Sequence, residues 1–325
     1  MPVTLSCAFA TSMSTHEYVA VAESLGYERA WLYDSPALYP DVWVTLARAA
    51  ERTSTIGLGP GVLIPSLRHP MTNAAAIATL VDLAGAHRVA VAVGTGFTGR
   101  FALGQRPLRW ADVAVYVRTL RALLRGETAE WEGAKIRMLQ PDGYGAPRPI
   151  EVPILLGAAG PKGVATAREV GDGVFMAGAA PVGGFDWEAQ LFFGTVLDDG
   201  EDETSPRVME AAGHSCAVLY HFISANRLPM ELVPHGEEWK AAYDEVPADE
   251  RHLAIHDRHL IALNERDRAF ITPDALRAMG AVYTPVELHE RLDGLAAAGM
   301  TEIAYQPAGP DIPRELEAFA KAVRG

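Results

Sequence analysis

Short apolar runs recur along the chain, several closing on glycine, with helix-length stretches between them. Residues 3–9, 30–33, 56–62, 88–93, 173–176, 216–222 and 302–305, and Val152 with Ile154, Leu155 and Leu156, each read as a strand. Helical pattern fills most of the gaps. Ser14-Thr15-His16-Glu17 looks like a cap before a helix closed by Gly26, and residues 41–52, 71–83, 108–124 and 313–323 carry helical periodicity. Eight strands alternating with helices predict an α/β fold, a (β/α)8 TIM barrel, with a doubly wound parallel sheet as the alternative. No internal repeat decides between them. The polar piece at 127–148 reads as a hairpin. The tract between strands seven and eight is too long for a βα loop and is expected to be an insertion over the barrel mouth, with residues 228–277 helical. The whole of 1–325 is then one domain.

Composition narrows the partner. A formal charge of −13 argues against a nucleic-acid surface, which needs a basic stripe, and favours a small molecule. Cys7 and Cys216 stand far apart, without a C-x-x-C pair, so neither a disulfide framework nor a cysteine zinc site is expected. The start of the chain has no secretory pattern and no stretch approaches 18 uncharged apolar residues, which predicts a cytoplasmic protein away from membranes.

In a barrel the loops after the strands carry the chemistry. They bring together Asp34, Gly61-Val62, Gly94-Thr95-Gly96, Gly157 to Lys162, Gly178 and Gln306. So much bare backbone suits a flat or phosphorylated cofactor better than a side-chain nucleophile. The fifth strand leads through Gly157, Ala158, Ala159 and Gly160 into a helix opened by Pro161, Lys162 and Gly163. Glycines there free backbone N–H groups near an anion, the helix start is partly positive, and Lys162 adds a formal charge.

Other chemistries fit less well. There is no G-x-S-x-G, and both cysteines lie in apolar runs. His252, His256 and His259 share a helical face, but Asp249, Glu250, Asp257 and Arg258 mark an exposed charged helix. No metal is expected there, and a histidine facing substrate is the other reading. Gly94-Thr95-Gly96-Phe97-Thr98-Gly99 spells G-x-G-x-x-G, yet residues 100–107 interpose a loop before the next long helix, which argues against a tightly held nicotinamide.

Arg68-His69-Pro70, Arg88-Val89 with Val93-Gly94-Thr95-Gly96, Val152-Pro153-Ile154 with Gly160-Pro161-Lys162, and Gly171-Asp172-Gly173-Val174 together resemble the luciferase-like monooxygenase superfamily over nearly the whole chain. The Gly-Pro-Lys turn and Arg-His-Pro are most similar to its deazaflavin-dependent branch, which includes methylenetetrahydromethanopterin reductase and uses coenzyme F-420. The resemblance implies a barrel, commonly a homodimer, with the ring at the mouth backed by a non-prolyl cis peptide at Gly61-Val62. Gly160, Pro161, Lys162 and Gly163 would hold the cofactor phosphate, with Gly94 and Gly96 beside it. Asp34 would be an acid or hydrogen-bond anchor near the ring, and Tyr39 or Trp43 would stack or donate. The activity implied is hydride transfer between coenzyme F-420 and a carbonyl, imine or activated alkene; a monooxygenase using reduced FMN and oxygen is the alternative. The branch's sugar-phosphate dehydrogenases carry a histidine and a glutamate where this chain has Ser35 and Phe97, so the resemblance does not extend to that activity.

Overall fold

Eight parallel strands form one continuous sheet in the computed structural model, which describes residues 3–324. They are β1 Thr4–Phe9, β2 Arg29–Leu32, β3 Gly57–Pro60, β4 Val91–Gly94, β5 Ile154–Gly157, β6 Gly173–Ala177, β7 Glu188–Phe192 and β8 Glu302–Tyr305. The order β3-β2-β1-β8-β7-β6-β5-β4 curls the sheet so that its two edges meet. Single bridges at Leu58 to Val89 and Leu63 to Val93 close that seam and make the sheet a barrel. Gly59 permits the closure, because a methyl group on it would fall 1.9 Å from the Ala90 carbonyl oxygen.

Side-chain size organises the two faces. Ala8, Ala90, Ala92, Ala189 and Ala304 point into the barrel and leave room for Trp31, Leu155, Phe175 and Leu191, which fill it. The outer face packs Cys7, Leu32, Leu58, Val91, Val93, Ile154 and Leu156 against the surrounding helices. The floor, at the N-terminal ends of the strands, is polar but satisfied. Glu302 accepts from Trp31 Nε1 at 2.7 Å and Trp187 Nε1 at 2.6 Å, and the Arg29 guanidinium lies over both indoles at 5.4 and 5.0 Å.

The structure corrects the expected seventh strand. Residues 216–222 lie inside the helix Pro206–Ala225, and the true β7 is Glu188–Phe192. The apolar run at 216–222 is continuous because Cys216, Ala217 and Tyr220 are buried in a second core while Phe222 lies beside Phe97, their ring centroids 5.8 Å apart. β7 escapes notice because Glu188 and Gln190, both buried, interrupt its apolar pattern, and Glu188 Oε2 accepts from the Val182 amide at 2.9 Å.

The tract between β7 and β8 is therefore longer than expected. A short parallel pair, Thr195–Val196 beside Val282–Tyr283, pins its base. Between these strands the helices Pro206–Ala225, Gly236–Asp244, Arg251–Ile255, Glu265–Arg268 and Pro273–Ala278 surround Val208, Tyr220, Trp239, Tyr243 and Leu276. Residues 228–277 hold no strand, and the helix before them belongs to the same packed unit. The small hairpin is present as Ala129–Trp131 with Ala134–Ile136.

Candidate active site

A cavity of about 300 Å³ opens at the C-terminal ends of the strands. Gly61, Val62, Gly94, Thr95, Gly96, Gly157, Ala158 and Ala159 line it, with Asp34, Ser35 and Tyr39 on one side and Phe97 and Thr98 on another. The Gly61-Val62 peptide is cis. It lies between the two bridges of the barrel seam, where the Gly61 amide donates to Leu32 O at 2.8 Å and the Leu63 amide to Ala92 O at 2.7 Å. The Val62 side chain fills the space that a larger residue at Gly94 or Gly157 would need: a methyl group on either would sit 2.8 or 3.0 Å from a Val62 methyl.

Gly160, Pro161, Lys162 and Gly163 are not in the cavity wall. They follow Ala159 directly, with Gly160 capping the helix Pro161–Val170. Ala159, Gly160, Pro161 and Lys162 are exposed, and the first-turn amides of Lys162 and Gly163 have no partner within the helix. Gly163 is buried because Trp110 packs over it; a methyl group there would lie 2.6 Å from the indole. The cavity wall thus ends at Ala159, one residue before a helix cap followed by unpaired donors and one cation.

Asp34 is 2% exposed and is held by Arg68, whose Nη2 donates to Oδ1 at 3.0 Å. Burial raises its pKa above the usual carboxylate value, against the lowering pull of Arg68. Arg68 also donates to Asp41 Oδ2 at 2.9 Å, and Asp41 Oδ1 caps the helix Val42–Arg52 by accepting from the amides of Trp43 and Val44. The neighbouring motif residues act locally: His69 Nδ1 accepts from the Met71 amide at 3.1 Å, and Pro70 opens the helix Pro70–Ala84. Trp43 does not line the cavity. Its Nε1 donates to Asn73 Oδ1 at 2.9 Å, Asn73 donates to the Tyr116 hydroxyl at 2.6 Å, and that hydroxyl donates to the Arg68 carbonyl at 3.2 Å.

The roof comes from the insertion. Leu260 lines the cavity, and residues Arg258 and Leu260 take positive φ values of 54° and 59° to turn the chain down into it. Tyr39 donates to the His259 carbonyl at 2.6 Å, Gln306 Nε2 to the Leu260 carbonyl at 2.9 Å, and Tyr33 to Gln306 Oε1 at 3.0 Å. The charged-face expectation for the histidine cluster fails in part. His256 and His259 are 8% and 5% exposed, because they face the second core and the cavity roof. Thr98 enters the sequence reading only as part of a glycine motif, Phe97 there and as a departure from the sugar-phosphate dehydrogenases, and nothing in the sequence marks His221 or Asp267. The spacing that singled out His259 was the one usable signal.

A G-x-G-x-x-G stretch that opens a helix is also present, since Phe97–Phe101 begins directly after Gly96, whose φ is 79°. That helix ends after five residues, before the loop to Trp110, and carries no long nucleotide-binding turn.

Residues 10–302 match the luciferase-like monooxygenase family, and the chain belongs to that family. It is 27% identical over 324 residues to 5,10-methylenetetrahydromethanopterin reductase of Archaeoglobus fulgidus, covering 94% of this chain and 93% of that protein. A shorter region of 177 residues is 31% identical to the F-420-dependent glucose-6-phosphate dehydrogenase of Beutenbergia cavernae, covering 48% of this chain and 50% of that one. The structure of coenzyme F-420 dependent tetrahydromethanopterin reductase from Methanopyrus kandleri has the same fold. Its TM-score is 0.68 at 20% identity, over 100% of this chain and 99% of that one.

Proposed function

We propose that this chain is an oxidoreductase that passes hydride between coenzyme F-420 and a small organic carbonyl, imine or activated alkene. The observation that carries the reading is the slot of bare backbone at Gly61-Val62, Gly94 and Gly157, leading to the open helix start at Gly160, in a chain related along nearly its full length to such a reductase. The residues present fit the group: the slot is flat because a side chain at Gly94 or Gly157 would collide with Val62. When bound, the reduced deazaflavin supplies the hydride from a ring carbon.

Gly61 and Val62 back the ring, and Gly94, Thr95, Gly96, Gly157, Ala158 and Ala159 line its edges. Gly160, Pro161, Lys162 and Gly163 hold the phosphate of the tail by first-turn amides and the Lys162 ammonium. Asp34, fixed by Arg68, is a hydrogen-bond anchor beside the ring. Tyr39 spends its hydroxyl on the roof and lines the cavity. Trp43 acts through Asn73 and Tyr116, which steady Arg68. Among the described residues no helix is long and apolar enough to cross a membrane. The same reading takes the protein to be a cytoplasmic homodimer without a nucleic-acid partner, supported by its −13 charge and by exposed Val44, Leu83 and Val115 on three successive packed helices.

Titrating purified protein with coenzyme F-420 and with FMN tests the cofactor. Micromolar or tighter binding of the deazaflavin is expected; tight FMN binding with no coenzyme F-420 binding would favour the monooxygenase instead.

A further inference from the structure

A line of buried side chains runs from the core of the insertion to the cavity, and the hydride site alone gives it no task. At its inner end Asp267, 2% exposed, accepts from Trp239 Nε1 at 2.7 Å, from the Tyr243 hydroxyl at 2.9 Å and from Asn264 Nδ2 at 3.0 Å. His221 Nε2 lies 3.3 Å from its Oδ2, so that nitrogen carries a proton and His221 Nδ1 is left with a lone pair. His221 Nδ1 is 3.2 Å from His259 Nδ1, which must then be the protonated nitrogen of that ring. The lone pair of His259 falls on Nε2, 3.4 Å from the Thr98 hydroxyl in the cavity wall. These tautomers follow from the network of donors and acceptors.

We propose that Thr98, His259, His221 and Asp267 form a proton relay for the hydride reaction. Thr98 is the catalytic group, and the other three act through it. The inference rests on the hydride-transfer reading above. In the oxidative direction a substrate O–H or N–H bond breaks and its proton goes to Thr98 Oγ1, while the Thr98 proton passes to His259 Nε2. The substrate C–H pair leaves as hydride to oxidised coenzyme F-420, and a C=O or C=N bond forms. In reduction the His259 imidazolium returns a proton through Thr98 as the substrate carbon gains hydride.

Of the other polar side chains around the cavity, Asp34 is engaged with Arg68, Tyr33 with Gln306 and Tyr39 with the His259 carbonyl, while Ser35 and Thr95 line the wall with no hydrogen bond to a histidine among the described residues. The titratable groups facing His259 are His221, His256 and His214, and together with burial they hold it well below the ordinary histidine value, so the resting ring is a neutral base. Charge arriving on His259 is shared through His221 with the Asp267 carboxylate, the logic of a base oriented by an acid.

Two measurements test the relay. In coenzyme-free protein labelled with ¹⁵N-histidine, NMR should report the Nε2–H tautomer for His221 and the Nδ1–H tautomer for His259, and Asp267→Asn should disturb the former. An Nε2–H tautomer at His259 would overturn the proposal. With a panel of secondary alcohols and amines and oxidised coenzyme F-420, Thr98→Val and His259→Asn should each slow turnover at least tenfold, with coenzyme affinity within twofold of wild type. Thr98→Ser should restore turnover to within threefold, and His221→Asn should shift the acid limb of the pH profile, where His259 gains its proton. A Thr98→Val enzyme as fast as wild type would overturn it. Failure of the wild type to bind coenzyme F-420 would instead sink the hydride reading, and would leave the tautomers standing.

Discussion

The Tyr39 hydroxyl donates to the His259 carbonyl at 2.6 Å, joining the loop after β2 to the insertion 220 residues further along the chain. Both residues are about 5% exposed, so the bond is shielded from water. Tyr39→Phe should cost about 1 kcal/mol of stability. Its local effect should exceed the global one: amide hydrogen exchange of residues 256–262 should quicken several-fold while the barrel strands stay protected.

The slot beside Val62 gives a second expectation. Gly157→Ala places a methyl group 3.0 Å from Val62 and pushes that side chain into the space assigned to the ring. Coenzyme F-420 affinity should fall at least tenfold, read by titration, while far-UV circular dichroism and the thermal midpoint change little.

Lys162 is exposed and, among the described residues, makes no side-chain hydrogen bond or ion pair. Lys162→Ala should leave the thermal midpoint within a degree or two of wild type. If the helix start holds the coenzyme phosphate, affinity should drop about five- to tenfold and its salt dependence should weaken; an unchanged affinity would refute the phosphate assignment.

Arg68 offers a test by rescue. Arg68→Met strands the Asp34 carboxylate in a buried site, at a cost on the order of 3–5 kcal/mol, and adding Asp34→Asn should recover most of it. Because burial raises the Asp34 pKa, the native state holds this proton more tightly than the unfolded chain. Its contribution therefore declines as pH rises through the window above the usual carboxylate value. In Arg68→Met that window should move to higher pH, visible as a mutant-minus-wild-type midpoint difference that grows between about pH 4 and 7.

His214 and His256 set the acid limit of the insertion. Burial lowers both to about 4, so the unfolded chain binds protons that the folded chain refuses as pH falls from 6.5 toward 4. Stability from these two residues is present above pH 6.5 and is lost across that interval. Near-UV circular dichroism of Trp239, or hydrogen exchange in residues 206–278, should report the loosening before the barrel strands open.

The sequence and the structure agree best where period and backbone chemistry act together. β1 to β6 and β8 are apolar runs, several of them closing on glycine, and the residues lining the cavity were identifiable because a barrel sends every strand-end turn to one face. β7 was hidden, since Glu188 and Gln190 place polar side chains inside the fold, and Glu188 finds its partner in the Val182 amide, a pairing that exists only in three dimensions. The helix Pro206–Ala225 was mistaken for a strand because a helix covered on several sides loses its 3.6-residue polarity. Thr98, His221 and Asp267 lie 46 to 169 residues apart in the chain and are joined only through His259, so no local spacing pointed to them.

The floor made by Arg29, Trp31, Trp187 and Glu302 has a kinetic corollary. Trp31 is fully buried and Glu302 is 3% exposed, so nothing enters the barrel from its N-terminal end. Coenzyme and substrate then share the cavity beneath Leu260, and whichever seats deeper blocks nothing only if it arrives first and departs last. Turnover should therefore follow a compulsory order, coenzyme leading, with the spent coenzyme competitive against fresh coenzyme and the substrate-derived product noncompetitive against it.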